Sequence, residues 1–299
     1  MIVLRQALDD YLRVRRALGY KLARSEKLLA QFLTFVEDRN EDHVTIDNAV
    51  AWASLPAGSH RSWMSTRLSV VRRFAIHLHG IDPANQAPPT DLLPGRNRRA
   101  TPYLYSEADI AALITAAGTL RTSHQVATYR TLIGLLAVTG MRIGEAIGLD
   151  RADLDAGNGV LTIRNGKFDK CRELPLHPST AAALGKYLDR DDRPHKAPNT
   201  PALLVSTTGT RLLYTNVQPI FHQLVRRAGL QPRSAMCRPR LHDLRHGFAV
   251  NTILDGYRHG GDPKARLALL STYLGHIDPG KTYWYLSQGN RVKKFSTNR

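Results

Sequence analysis

Residues 240–250, RLHDLRHGFAV, place His242, Asp243, Arg245 and His246 within one helical turn between apolar neighbours. Ionisable side chains resist burial, so four of them in an apolar-flanked run need a specific use. Three other stretches carry residues of the same kind: TGMRIGE, NGKFDK and LGHIDPGKTYWYL. Arg142 follows a glycine that stops a helix, Lys167 sits in a β-turn with a long reach, and His276 follows another helix-ending glycine. His242 and Arg245, three apart, share one helix face. Two arginines, two histidines and a lysine gathered together suit a phosphodiester. Its transition state spreads negative charge over the non-bridging oxygens, and guanidinium forks match that geometry bidentately.

A metal is the first rival. His242 and His246 are four apart, as zinc ligands on a helix are, but the zinc-protease pattern wants Glu beside the first histidine. Asp243 stands there instead, and Arg245 would set a fixed cation beside a cationic metal. No acidic cluster is placed to hold magnesium, and GxxxxGK[ST] is absent, so neither metal nor nucleotide cofactor is expected. Metal-free cleavage would need a protein nucleophile and a group to protonate the leaving oxygen. Two cysteines, Cys171 and Cys237, are too few for a disulfide framework or a thiolate cluster and read as reduced bystanders.

The chain around these residues has 299 positions, enough for two domains. Its 42% hydrophobic content and mean hydropathy of −0.30 are those of a soluble protein. No apolar run approaches the ~18 residues of a membrane span, and the first twenty residues are too charged for a secretory leader, so a cytoplasmic protein is expected. Lys+Arg number 42 against 25 Asp+Glu, a net +17 with a pI near 10.3. Positive charge spread along the whole chain points to nucleic acid rather than to a membrane surface.

Residues 1–81 read as four helices. Leu4, Leu8, Tyr11 and Leu18 form one stripe and Leu28, Leu29, Phe32, Leu33 and Val36 a second; Thr45 caps a third helix and Ser59 a fourth. Arg61, Arg67, Arg72 and Arg73 on that fourth helix are expected to meet phosphate. Residues 82–102 carry five prolines and several arginines and read as a stiff, extended linker. From 103 to 299 the pattern is mostly helical. Ser106 and Asp109 form a capping box, a long helix ends at Gly140, GVLTIRN and CRELPL form a hairpin, and LLVS is a short strand. The fold class is therefore mainly α with a small antiparallel sheet.

Taken in order, these motifs resemble those of the tyrosine recombinases, the phage-integrase family of site-specific DNA recombinases. TGMRIGE matches the first arginine box and gives Arg142, GKFDKCRELPL gives the hairpin Lys167, and HDLR gives His242 and Arg245. LGH gives His276, and the tyrosine nine residues on is Tyr285. The resemblance implies an N-terminal core-binding domain (1–81), the linker (82–102) and a catalytic domain (103–299), closing as a clamp on DNA and working as a homo-tetramer on paired sites. It implies that Tyr285 attacks the scissile phosphate to form a 3′-phosphotyrosine. Arg142 and Arg245 would hold the non-bridging oxygens, His242 and His276 would donate hydrogen bonds or manage the tyrosine proton, and Lys167 would protonate the leaving 5′-oxygen. Tyr283 is a rival nucleophile disfavoured by spacing, Glu145 would orient Arg142, and His246 would back the cleft. A segment longer than in compact members separates Arg245 from His276, as in integrases carried on plasmids and transposons. Two other classes share some of these features: a type IB nicking–closing topoisomerase, and a non-catalytic DNA-binding protein.

Overall fold

The computed structural model describes residues 4–55, 58–93, 100–164, 171–194, 200–258 and 263–275. Two compact units divide the chain, Met1–Arg99 and Ala100–Arg299.

The first unit holds helices α1 (Leu4–Ala17), α2 (Ala23–Glu37), α3 (Ile46–Ser54) and α4 (Arg61–His79). Their apolar residues recur every three or four positions, so each helix turns one stripe inward. Leu8 and Tyr11, Phe32 and Leu33, Trp52, and Phe74 and Leu78 meet in one core. Leu18 is not part of it. Helix α1 stops at Ala17, Gly19 takes φ 82°, and Leu18 is left 64% exposed. Thr45 caps α3 through a reciprocal box with Asn48, as the sequence predicts. Helix α4 is capped one residue later than expected: the His60 ring, not Ser59, accepts the Ser62 N–H.

Proline-rich residues after α4 are helix-free but do not run loose at first. Asn85 is buried and its side-chain oxygen accepts the Val44 N–H, while the Gln86 N–H reaches the Val44 carbonyl. Arg72 donates to the carbonyls of Pro88 and Pro89, both at 2.6 Å. Arg67 is buried with its guanidinium 3.8 Å from the Trp52 ring. Two of the four arginines assigned to phosphate thus serve the unit itself, while Arg61 and Arg73 remain exposed.

The second unit is built round α6 (Ser123–Thr139), which packs against α5 (Glu107–Ala117), α8 (Pro178–Leu188) and α10 (Asp243–Arg258). Ser106 and Asp109 form the expected box on α5. Leu132, Ile133 and Leu136 share a core with Leu113, Phe221 and Leu224, the last two from α9 (Tyr214–Arg227). After α7 (Ile143–Gly148), strands β1 (Leu154–Asp155), β2 (Val160–Ile163) and β3 (Arg172–Pro175) form an antiparallel sheet in that order. Leu161 faces Leu174 and Ile163 faces Arg172 in the β2–β3 ladder. The LLVS run makes one isolated bridge, Val205 to Arg211, instead of a strand. Its backbone is satisfied otherwise: Leu203 N–H reaches the Leu149 carbonyl, and buried Arg193 donates to the Ala202 and Leu203 carbonyls. Helix α11 (Pro263–Leu274) packs on α10 through Leu267, Leu270 and Leu274. Cys171 is exposed and Cys237 buried, both as free thiols.

Candidate phosphate-binding site

Gly140 ends α6 at φ 60°, and a side chain there would collide with the Phe248 ring of α10, 2.8 Å from its Cγ. The bare glycine lets α6 and α10 close together, and two residues on Arg142 stands at the N-cap of α7. Arg142 is braced by Glu145. Its backbone N–H donates to the carboxylate at 2.8 Å and its Nη1 at 2.7 Å, as expected for an orienting partner. Its Nη2 reaches the Gly275 carbonyl at 3.4 Å.

Arg245 is 2% exposed. Its Nη1 donates to the Gly140 carbonyl at 2.9 Å and its Nη2 to the Leu274 carbonyl at 2.7 Å. The guanidinium groups of Arg142 and Arg245 therefore converge on adjacent carbonyls at the end of α11. Helix C-termini carry partial negative charge on such carbonyls, so cations are favoured there. His276, next in the chain, lies outside the described residues, as do Lys167, Tyr283 and Tyr285.

His242 precedes α10 and is exposed, whereas Arg245 is buried. The His242 ring stands edge-on to His246, with centroids 4.8 Å apart and planes at 86°. Beneath them Asp243 is fully buried, and Arg240 forks onto it at 2.9 and 2.8 Å. Burial pushes the Asp243 carboxyl pKa up, and the Arg240 hydrogen bonds oppose that rise. The crowded HDLRH run is thus resolved by division of labour: one ion pair inward, one arginine toward α11, one histidine outward.

Arg172 was not singled out by sequence reasoning. Its Nε donates to the Tyr273 carbonyl at 2.9 Å, and its terminal nitrogens fork onto Glu145 at 3.1 and 2.8 Å. The signal for it was strand parity, since Arg172 shares a face with buried Leu174 and a cation on that face needs a partner. Among the described residues, no group of three or more His, Cys, Asp or Glu could hold a metal, and no helix is long and apolar enough to cross a membrane.

The sequence profile of the phage integrase family matches residues 105–290, well over half of the chain. The chain belongs to the phage integrase family. A Sinorhizobium fredii protein named as integrase/recombinase y4rB is 42% identical, spanning 100% of this chain and 97% of its own. A tyrosine recombinase XerD of Neisseria meningitidis is 31% identical over 78% of this chain and 75% of its own. Among solved structures, a Tn1549 transposon integrase with transposon right end DNA superposes with TM-score 0.66 at 16% identity, both chains covered fully. The XerH recombinase on difH DNA gives 0.61 at 22% identity, over 88% of this chain and 75% of its own. These two likenesses speak to the fold, mainly α with a small antiparallel sheet. By family the protein is a tyrosine-type site-specific DNA recombinase, and positions 142, 167, 242, 245, 276 and 285 of the recombinase all fall within the matched region.

Proposed function

We propose that this recombinase cuts and rejoins DNA at a specific site during integration, excision or transposition of a mobile element. The Tyr285 hydroxyl oxygen attacks the scissile phosphorus, the bond to the 5′-oxygen breaks, and a 3′-phosphotyrosine forms. Lys167 gives the departing 5′-oxygen its proton, and His242 and His276 handle the proton that the phenol loses. Arg142 and Arg245 hold the non-bridging oxygens. A 5′-hydroxyl from a second strand then attacks the ester and regenerates the tyrosine. Bond energy stays in the protein–DNA ester, which is why the reaction needs no nucleotide.

One observation carries this reading: guanidinium groups from segments a hundred residues apart meet at the Leu274 and Gly275 carbonyls, immediately ahead of His276, which itself stands nine residues before Tyr285. Residues 1–81 act as the core-binding domain, 82–102 as the linker and 103–299 as the catalytic domain. The division of the chain into two units supports a two-domain reading, with the boundary at Arg99 falling inside that linker. The DNA partner is a duplex recombination site, held as a pair by a homo-tetramer.

A duplex selected from a random pool by binding to the protein supplies the test substrate. Nicked near the cleavage point, it should trap a covalent protein–DNA band that survives denaturation. The band is expected with the wild type and with Tyr283→Phe and should vanish in Tyr285→Phe. Its persistence in Tyr285→Phe, with loss in Tyr283→Phe, would move the nucleophile to Tyr283.

A further inference from the structure

Arg172 lies in the hairpin stretch GKFDKCRELPL, where Lys167 alone is assigned a role, yet it ties together two other motifs. From the start of β3 it holds the Tyr273 carbonyl and the Glu145 carboxylate together, and its side chain is only 15% exposed. Three consecutive carbonyls at the end of α11 thus receive three arginines: Tyr273 from Arg172, Leu274 from Arg245 and Gly275 from Arg142. Space for this is narrow. Gly275 stands at φ 65°, and a side chain there would come within 3.2 Å of the Arg172 Nη1. Glu145 is the hub, since Arg142 approaches the same two carboxylate oxygens that Arg172 forks onto.

We propose that Arg172 is a positioning residue for strand cleavage. It fixes Arg142 through Glu145 and fixes the end of α11 through the Tyr273 carbonyl. The inference rests on Arg142 being a phosphate ligand. Without Arg172, the Glu145 carboxylate faces Arg142 alone and draws that guanidinium wholly to itself, while the segment leading into His276 loses one of its three tethers. What is lost is orientation, so the cost falls on the chemical step. DNA affinity, spread over many phosphates, is spared.

The test uses the full-length protein on the selected, nicked duplex in single turnover. A second version carries a methylphosphonate at the mapped cleavage position, which removes the charge that Arg142 would neutralise. Arg172→Gln should bind both duplexes like the wild type. On the natural diester it should form the covalent adduct roughly 10- to 100-fold more slowly. On the neutral diester, where a well-aimed guanidinium matters less, that defect should shrink to about threefold or less. Arg172→Lys keeps the charge without the fork and should fall between. Wild-type speed in Arg172→Gln, or an equal defect on both substrates as general loss of fold would give, overturns the inference. Should Arg172→Gln not fold, Arg172→Lys read on the same pair decides it. A wild type that forms no adduct defeats the phosphate-ligand reading itself, whereas a normal wild type with an indifferent Arg172 defeats only this step.

Discussion

Glu145 shows how a buried carboxylate stays charged between two arginines. Burial by itself pushes its pKa up, but the Arg172 fork, the Arg142 backbone N–H and the two guanidinium charges outweigh it and hold it at about 2. A carboxyl with a folded pKa below its unfolded one adds stability that is complete above the unfolded value, 4.5, and is lost as pH falls toward 2. A shift of that size is worth about 3 kcal/mol. Glu145→Gln should therefore destabilise the protein at neutral pH and flatten the loss of stability between pH 4.5 and 2. Urea unfolding at a series of pH values measures both effects, and an unchanged slope would mean that the ion pairs do not persist in solution. Of this network, Arg142 and Glu145 were legible because they are one helical turn apart at a glycine-marked helix start. Arg172 was not, because its partner lies 27 residues away and only the β3 register brings them together.

At the scale of elements, Gly140 is where two demands coincide. Its backbone is left-handed, and the Phe248 ring occupies the volume a Cβ would need. Left-handed strain costs an alanine about 1 kcal/mol and overpacking another 1–3. Gly140→Ala should thus lower stability by about 2–4 kcal/mol, read as a fall in the denaturant midpoint. It should also slow adduct formation, because α6 and α10 carry the Gly140 carbonyl and Arg245 that meet there. A variant of native stability would show that the helices part without cost. Caps and stripes were the readable features of this fold: Thr45, Ser106 and Gly140 end or begin helices as their chemistry dictates. The failures were non-local. Leu18 fits the α1 stripe by count, but the chain turns before it, and nothing in LLVS indicates that Arg193 will take the bonds of a neighbouring strand. The proline-rich stretch was legible as helix-free, whereas its attachment depends on partners distant in sequence, Val44 for Asn85 and Arg72 of α4 for Pro88 and Pro89.

Charge belongs to the whole molecule. Residues 1–99 hold 15 Lys and Arg against 10 Asp and Glu, and residues 100–299 hold 27 against 15, so both units carry a positive excess. Affinity for duplex DNA should accordingly fall steeply with salt, because each neutralised phosphate releases counterions. With 6–10 phosphates neutralised, affinity drops by about 10³–10⁵ between 50 and 200 mM. The structure sorts the α4 arginines within that total. Arg61 and Arg73 are exposed, while Arg67 lies on Trp52 and Arg72 holds the Pro88 and Pro89 carbonyls. Replacing Arg61 or Arg73 with glutamine should lower the log–log salt slope by about 0.9 for each phosphate no longer neutralised, with stability unchanged. Replacing Arg72 should leave the slope and instead cost about 1–2 kcal/mol of stability as its two hydrogen bonds disappear. Fluorescence anisotropy titrations at several salt concentrations, paired with urea unfolding, separate the two outcomes. A slope that drops for Arg72 and not for Arg61 or Arg73 would reverse the assignment and put the proline-bound arginine on the DNA.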